Sequence, residues 1–214
     1  MTGIAIGVPA PEFAISRVDS DPHAATPLLR FGVEVTDSSG REIYTIAITT
    51  QIQIDADRRS YDPETRERLR DLFGEQERLP ATAGALLLGR VETLVPSFTR
   101  EGTFTIALPV SADLELAGAR YLASLPSGAV PLTFNFNGTI FFCGEEDRLQ
   151  VTLVPWSCST RYRLALADWR ELIERRHASS GFVRLQADTL EALRRRRVER
   201  GLPTLEATIA DALR

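Results

Sequence analysis

Alternation with period two is the feature that most restricts what this chain can become. Between Pro131 and Phe142, Leu132, Phe134, Phe136, Ile140 and Phe142 share one face, and Thr133, Asn135, Asn137 and Thr139 share the other. A strand with one buried and one wet face reads this way. The pattern recurs in Leu29, Phe31, Val33 and Val35 against Arg30 and Glu34. It recurs again in Tyr44, Ile46, Ile48, Ile52 and Ile54 against Thr45, Thr49, Gln51 and Gln53. Phe104, Ile106, Leu108 and Val110, then Leu149, Val151 and Leu153, extend the set. Six or seven such strands predict an antiparallel sheet.

Turn residues predict how the strands connect. Asp37-Ser38-Ser39-Gly40 and Gly144-Glu145-Glu146-Asp147 are expected hairpin connectors, as is Thr99–Gly102 between Val91–Val95 and Phe104–Leu108. Matching apolar faces across the last hairpin sets Phe142 opposite Leu149 and Cys143 opposite Arg148. Cys158 then falls near Thr133, roughly 30 Å from Cys143 at about 3.3 Å per strand residue, so no disulfide is expected.

Helical signals interrupt this pattern. Asp62-Pro63 is a start signal, with Asp as N-cap, Pro at the first helical position and Leu69, Leu72 and Phe73 as the apolar stripe. A second helix is expected over Leu116–Leu125. In the C-terminal third the period changes to 3.6. Asp168 with Glu171, and Asp188 with Glu191, resemble capping boxes. Thr204 is expected to cap a last helix that buries Leu205, Ile209 and Leu213.

Composition excludes more chemistry than it supports. All 25 basic residues are arginine, which points to a GC-rich bacterial genome and removes any Walker or Schiff-base lysine. The net charge of −4 argues against a nucleic-acid binder. No apolar run is long enough to span a membrane, and the N-terminus lacks the basic residues of a signal peptide. A cytoplasmic location is the expectation, with both cysteines as free thiols.

Candidate sites are few. His177 would close the helix that begins near Trp169, where a cation suits the dipole; His23 lies in a Ser-Asp-Pro-His loop. Cys143, Cys158 and His177 have no metal-ligand spacing, so neither a metal nor another cofactor is expected. Acidic groups such as Glu145-Glu146-Asp147 and Asp55/Asp57 sit in turns without a second catalytic group. Arg194, Arg195, Arg196 and Arg197 could meet an acidic partner, although at least one must face its own protein. The amides of Gln51, Gln53, Asn135 and Asn137 make their strand faces suited to adaptable hydrogen bonding with a polypeptide.

One set of motifs resembles a known family. Val130-Pro131-Leu132-Thr133-Phe134, Gly138-Thr139-Ile140-Phe141, Val154-Pro155-Trp156, Arg161-Tyr162-Arg163-Leu164, Trp169-Arg170-Glu171-Leu172 and Gly201-Leu202-Pro203-Thr204 carry the resemblance. The family is an uncharacterised bacterial domain of unknown function, with genes tending to lie near those of uptake nickel–iron hydrogenases. The resemblance implies an accessory or maturation role, with a hydrogenase subunit or precursor as partner. Over about half its length the chain is also similar to SecB-like export chaperones, through its alternating strands, Ala119-Arg120-Tyr121-Leu122, Leu125, Gly128 and Pro131.

The expected fold is α+β: a twisted antiparallel sheet of sequential hairpins with helices on its apolar face, and a C-terminal helical subdomain. Residues 1–165 would form the sheet domain, and residues 166–214 the helical subdomain tied on by Trp156 and Trp169. The expected function is non-catalytic, accessory or chaperone-like binding of another protein, with self-association left open. The alternative is a small-molecule enzyme using Cys158, His177 or acidic residues in a cleft between sheet and tail.

Overall fold

The alternating segments do form strands, but they build two open antiparallel sheets instead of one. The computed structural model describes residues 7–20, 28–69, 85–109, 117–176 and 185–214. Among these residues the strands are β1 Glu12–Ser20, β2 Leu28–Thr36, β3 Ile43–Asp55, β4 Ala85–Val95, β5 Glu101–Pro109, β6 Ala129–Cys143, β7 Leu149–Leu153 and β8 Ser159–Ala165. The smaller sheet has the order β1-β2-β5, and the larger β4-β3-β6-β7, with β8 also on β6. The helices are α1 Pro63–Arg68, α2 Ala117–Ser124, α3 Leu166–Arg176, α4 Ala187–Glu199 and α5 Leu205–Ala212.

The two apolar faces cover each other. Phe13 of β1 lies 4.5 Å from Phe136 of β6, and Phe31 of β2 meets Phe134 edge-on at 5.0 Å. Phe134, Phe136 and Ile140 are buried, as the alternation predicts. Within this two-sheet unit α2 and α3 close the margins and leave the apolar faces to the sheets, which corrects the expected layering. Tyr121, Leu122 and Leu125, from α2 and its exit, enter the core. The helix α3 lies against β1, β2 and β8 with Trp169 buried. Alternation alone says that a strand has an apolar side; it is equally compatible with a helix or a second sheet as the cover.

Sequential pairing holds for β1–β2, β3–β4 and β6–β7. It fails after β2, β4 and β5, where the chain passes to the other sheet, and after β7, because β7 and β8 both pair with β6. At the first crossing Asp37 organises the passage. Its carboxylate accepts from Ser39 N at 2.9 Å, from the Ser39 hydroxyl and from Ala10 N at 2.7 Å. The residues expected to close a hairpin instead make a side-chain-stapled corner.

The last hairpin is shifted by one residue from the expected register: Phe142 opposes Gln150 and Cys143 opposes Leu149. The turn is the cause, because Glu146 and Asp147 both adopt positive φ in a short 3₁₀ turn and lengthen the connection. The apolar residues of β7 consequently turn to the outer face, opposite Thr139, Phe141 and Cys143.

Local signals fared unevenly. Asp62 caps α1 by accepting from Thr65 N at 2.9 Å, with Pro63 at the first position. The helix ends at Arg68 with Leu69 buried; Leu72 and Phe73 lie outside the described residues. Neither proposed capping box forms: α3 begins at Leu166, so Asp168 is inside its first turn, and Gln186 occupies the N-cap of α4.

The chain divides into compact units of residues 1–178 and 179–214. Leu166–Arg176 falls within the first of these units. The second unit is a helical hairpin. Gly201, at φ 61°, follows α4, while Gly201 N donates to Val198 O and Leu202 N to Arg197 O, a Schellman closure that favours glycine. Thr204 caps α5 by accepting from Ala207 N at 3.0 Å. Leu205 is half-buried, but Ile209 and Leu213 are exposed, contrary to expectation.

Two internal polar features give testable consequences. The Thr50 hydroxyl is fully buried and, among the described residues, has no hydrogen-bond partner. It faces the core with Phe136 opposite, so Thr50→Val should stabilise the protein by about 1–2 kcal/mol in chemical denaturation, because an unmet hydroxyl is desolvated for nothing.

The second feature is a phenol pair. Tyr61 OH lies 2.7 Å from Tyr121 OH and donates to the Ala56 carbonyl, so the proton between the rings belongs to Tyr121. Burial is the first cause raising both phenols; a hydrogen bond with Tyr61 raises Tyr121 further. Above about pH 10 the unfolded chain loses phenolic protons that the folded chain keeps. The unfolded state then binds fewer protons, so stability falls as pH rises. A Tyr61→Phe/Tyr121→Phe double variant should show a shallower alkaline fall in melting temperature between about pH 9.5 and 11.

Candidate partner-binding face

The face of the larger sheet that points away from the core gathers the predicted amides. The β3–β6 pairing sets Thr49 opposite Asn137, Gln51 opposite Asn135 and Gln53 opposite Thr133. Asn135 Nδ2 donates diagonally to Gln53 Oε1 at 3.2 Å, and Thr133 Oγ1 donates to Asp55 Oδ2 at 2.8 Å. Gln51 and Asn137 have no side-chain partner among the described residues. The alternation that buries the phenylalanines sets these amides on the opposite side of the same strands.

Towards the β6–β7 hairpin this face changes character. Leu94, Ala47, Thr139 and Leu153 align across β4, β3, β6 and β7. The next level holds Thr45, Phe141 and Val151. Tyr44 joins them because a bulge between Ile43 and Thr45 throws it outward, away from the apolar set to which its alternation assigned it. A hydrogen bond with the Cys143 thiol is the first cause of its phenol being pushed up to about 12. An open depression of about 260 Å³ lies along Ala47, Ile48, Thr49, Glu92, Thr93 and Leu94. The centre of the face, along β3 and β6, is therefore amide-rich at one end and apolar at the other, with Arg90 and Glu92 of β4 and Arg161 and Arg163 of β8 flanking the amides.

Trp156 is the residue that sequence reading misplaced most. It is 95% exposed and ties down nothing. β7 and β8 pair with the same side of β6, and Val154–Cys158 is a detour between them. The detour leaves the ladder where Val154 N donates to Gly138 O and rejoins where Phe136 N donates to Cys158 O. A β-turn, Cys158 N to Pro155 O at 2.9 Å, holds Trp156 at its tip. The signal was present in Pro155-Trp156-Ser157, a proline-led turn between two alternating runs.

The remaining candidates lie on other elements, apart from Cys143, which ends β6 on this face. Of the arginine run, Arg196 contacts Asp211 Oδ2 through Nε at 3.1 Å and Nη2 at 3.0 Å, and Arg200 holds Asp211 Oδ1 at 2.9 Å. Arg196 is thus the member turned to its own protein. Arg194 is 3.9 Å from Glu191, and Arg195 is exposed, whereas Arg197 is half-buried. His23 and His177 lie outside the described residues. Cys143 and Cys158 are both free, and Cys158 Sγ lies 3.6 Å from the Pro11 carbonyl. Burial pushes the Cys158 thiol up, followed by the charge of Glu12, the reverse of what activates a nucleophile.

Fold and face together define a two-sheet antiparallel domain whose larger sheet has an outer face of amides and apolar side chains flanked by charged residues. Among the described residues no group of three or more His, Cys, Asp or Glu could hold a metal, and no helix is long and apolar enough to cross a membrane. Residues 8–214 match a family described as "Family of unknown function (DUF6084)", and the chain belongs to it. No curated protein matches the chain. Among solved structures it is similar to the putative ApaA protein of Bordetella pertussis, at 12% identity over 74% of this chain and 97% of that one, with a TM-score of 0.29. It is also similar to the sporulation control protein Spo0M of Bacillus subtilis, at 10% identity over 75% of this chain and 49% of that one, with a TM-score of 0.27. A β-glucosidase of Kluyveromyces marxianus aligns at 11% identity over 72% of this chain and 15% of its own, with a TM-score of 0.27. Likenesses at this level carry no argument about fold or function.

Proposed function

We propose that the chain is a non-catalytic, chaperone-like accessory protein of the cytoplasm that binds another polypeptide on the outer face of its larger sheet. The observation that carries this reading is the composition of that face: amides and hydroxyls at Thr49, Gln51, Gln53, Asn135 and Asn137 run directly into an apolar end at Phe141, Val151 and Leu153. Uncharged hydrogen-bonding groups beside apolar surface suit a polypeptide, which offers both amides and side chains. The hydrogenase-linked resemblance makes the partner a hydrogenase subunit or precursor. Arg195, which is exposed on α4, is a separate contact for an acidic segment. The enzyme alternative loses support at Cys158, whose thiol is held protonated.

Replacing Asn135 with Arg puts charge at the centre of the face without entering the core. The variant should melt within about 0.5 kcal/mol of wild type, yet capture at least tenfold less partner from the native host. Hydrogen exchange on the complex should show new protection along β3 and β6. Unchanged capture would remove the face from the reading. A turnover found in wild type and lost in a Cys143/Cys158/His23/His177 quadruple variant would replace the reading with an enzyme.

A further inference from the structure

Among the described residues, the edge of β7 is the sheet edge left open. In the other corners β4 runs beside β5 and β1 beside β8, so these edges face each other across the two sheets. β4 also carries Arg90 and Glu92 and a bulge at Leu88, features that discourage strand addition. β7, Leu-Gln-Val-Thr-Leu, has no charge, proline or glycine and pairs with β6 alone.

The phase of the β6–β7 ladder determines what that edge offers. Gly144 N donates to Arg148 O at 2.8 Å, and Val154 N to Gly138 O at 3.0 Å. Hydrogen-bonded pairs alternate along an antiparallel ladder, so Gln150 and Thr152 direct their main-chain groups to β6. The N–H and C=O groups of Leu149, Val151 and Leu153 therefore point to the open edge. The same residues display side chains that are 63%, 56% and 71% exposed.

The sequence of β7 is symmetric about Val151 in size and polarity. In an antiparallel pairing with itself, Leu149 meets the second copy's Leu153, Gln150 meets Thr152, and Val151 meets its own equivalent. Every outward N–H then finds a carbonyl, and no charge opposes its like. A two-fold contact requires a surface to complement itself, and a reversible pattern centred on one residue does so. The geometry points to a homodimer formed by two-fold antiparallel pairing of β7 with the β7 of a second copy, joining the two larger sheets into one. This contact uses the main-chain groups of the β7 edge, whereas the face proposed above uses the side chains of Val151 and Leu153, and the mass of the isolated chain reads the edge contact alone.

The test is the mass of the intact chain by light scattering across a concentration series. Wild type should rise from 23.7 kDa towards twice that mass. Val151→Lys and Val151→Glu should each stay monomeric, because like charges meet at the two-fold centre. An equimolar mixture of the two should regain the dimer mass. Val151→Pro removes an outward N–H without touching the β6 ladder, which edge positions tolerate. It should keep the wild-type circular dichroism and lose the dimer, separating loss of pairing from loss of fold. A wild type that stays monomeric throughout would overturn the proposal, including the case where the edge takes a strand from an unrelated polypeptide. A dimer unaffected by Val151→Lys or Val151→Pro would overturn it as well.

Discussion

Phe136→Ala should lower stability by about 3–5 kcal/mol, the range for truncating a buried aromatic ring. Phe136 is nearly inaccessible and packs on Phe13 of the facing sheet at 4.5 Å. Removing the ring opens a cavity between two sheets, and β6 cannot collapse into it while held by β3 on one side and by β7 and β8 on the other. Phe13 loses this ring partner as well and keeps, among the described residues, its edge contact with Phe104 at 6.0 Å. At roughly 2–4 °C per kcal/mol the melting temperature should fall on the order of 10 °C. Asn137→Ala, one position along and exposed, should change stability by no more than about 0.5 kcal/mol. A costly Asn137→Ala beside a neutral Phe136→Ala would contradict the orientation of β6.

Gly138→Ala should be at least as damaging, for a different reason. A Cβ at this position would stand 2.1 Å from the Ala47 carbonyl oxygen and 2.9 Å from Ile48 Cα, both backbone atoms of β3. A side chain can rotate away, but β3 cannot, since it pairs with β6 from Ile43 to Ile54. Gly138 also accepts from Val154 N on its other side, so β6 has no free direction in which to move. Overpacking costs of about 1–3 kcal/mol apply where neighbours can adjust; here roughly 3 kcal/mol or more is expected. Gly7→Ala is the control, with no heavy atom within 4 Å of the added carbon and an ordinary φ. Denaturant midpoints of the two variants decide the matter. Equal midpoints would mean that the close approach of β3 and β6 relaxes without cost.

The contrast between these two residues shows what could be read in advance. The burial of Phe136 follows from alternation alone, and so does the outward direction of the amides beside it. Gly138 belonged to a recognised motif, but its necessity lies in a neighbour 91 positions away, which no local pattern contains. β1 escaped for a physical reason: a bulge between Ile15 and Arg17 changes the phase of its apolar residues mid-strand. β8 was hidden by arginines at 161 and 163, whose alternation with Thr160, Tyr162 and Leu164 is short and abuts α3. The choice between one sheet covered by helices and two sheets covering each other depends on which apolar faces meet, and every strand offers the same kind of face. The candidate face was legible in its polar half. Its apolar half was not, because the outward turn of β7 depends on the positive φ values of Glu146 and Asp147.

The detour that carries Trp156 has an engineering corollary. Its exit and re-entry are both pinned to β6, at Gly138 and Phe136, so the span it must close is independent of how much chain it contains. Doubling a loop adds only about 0.6 kcal/mol of closure entropy. Foreign peptide spliced between Pro155 and Ser157 would thus be presented from a fixed platform while β7 and β8 kept their registers.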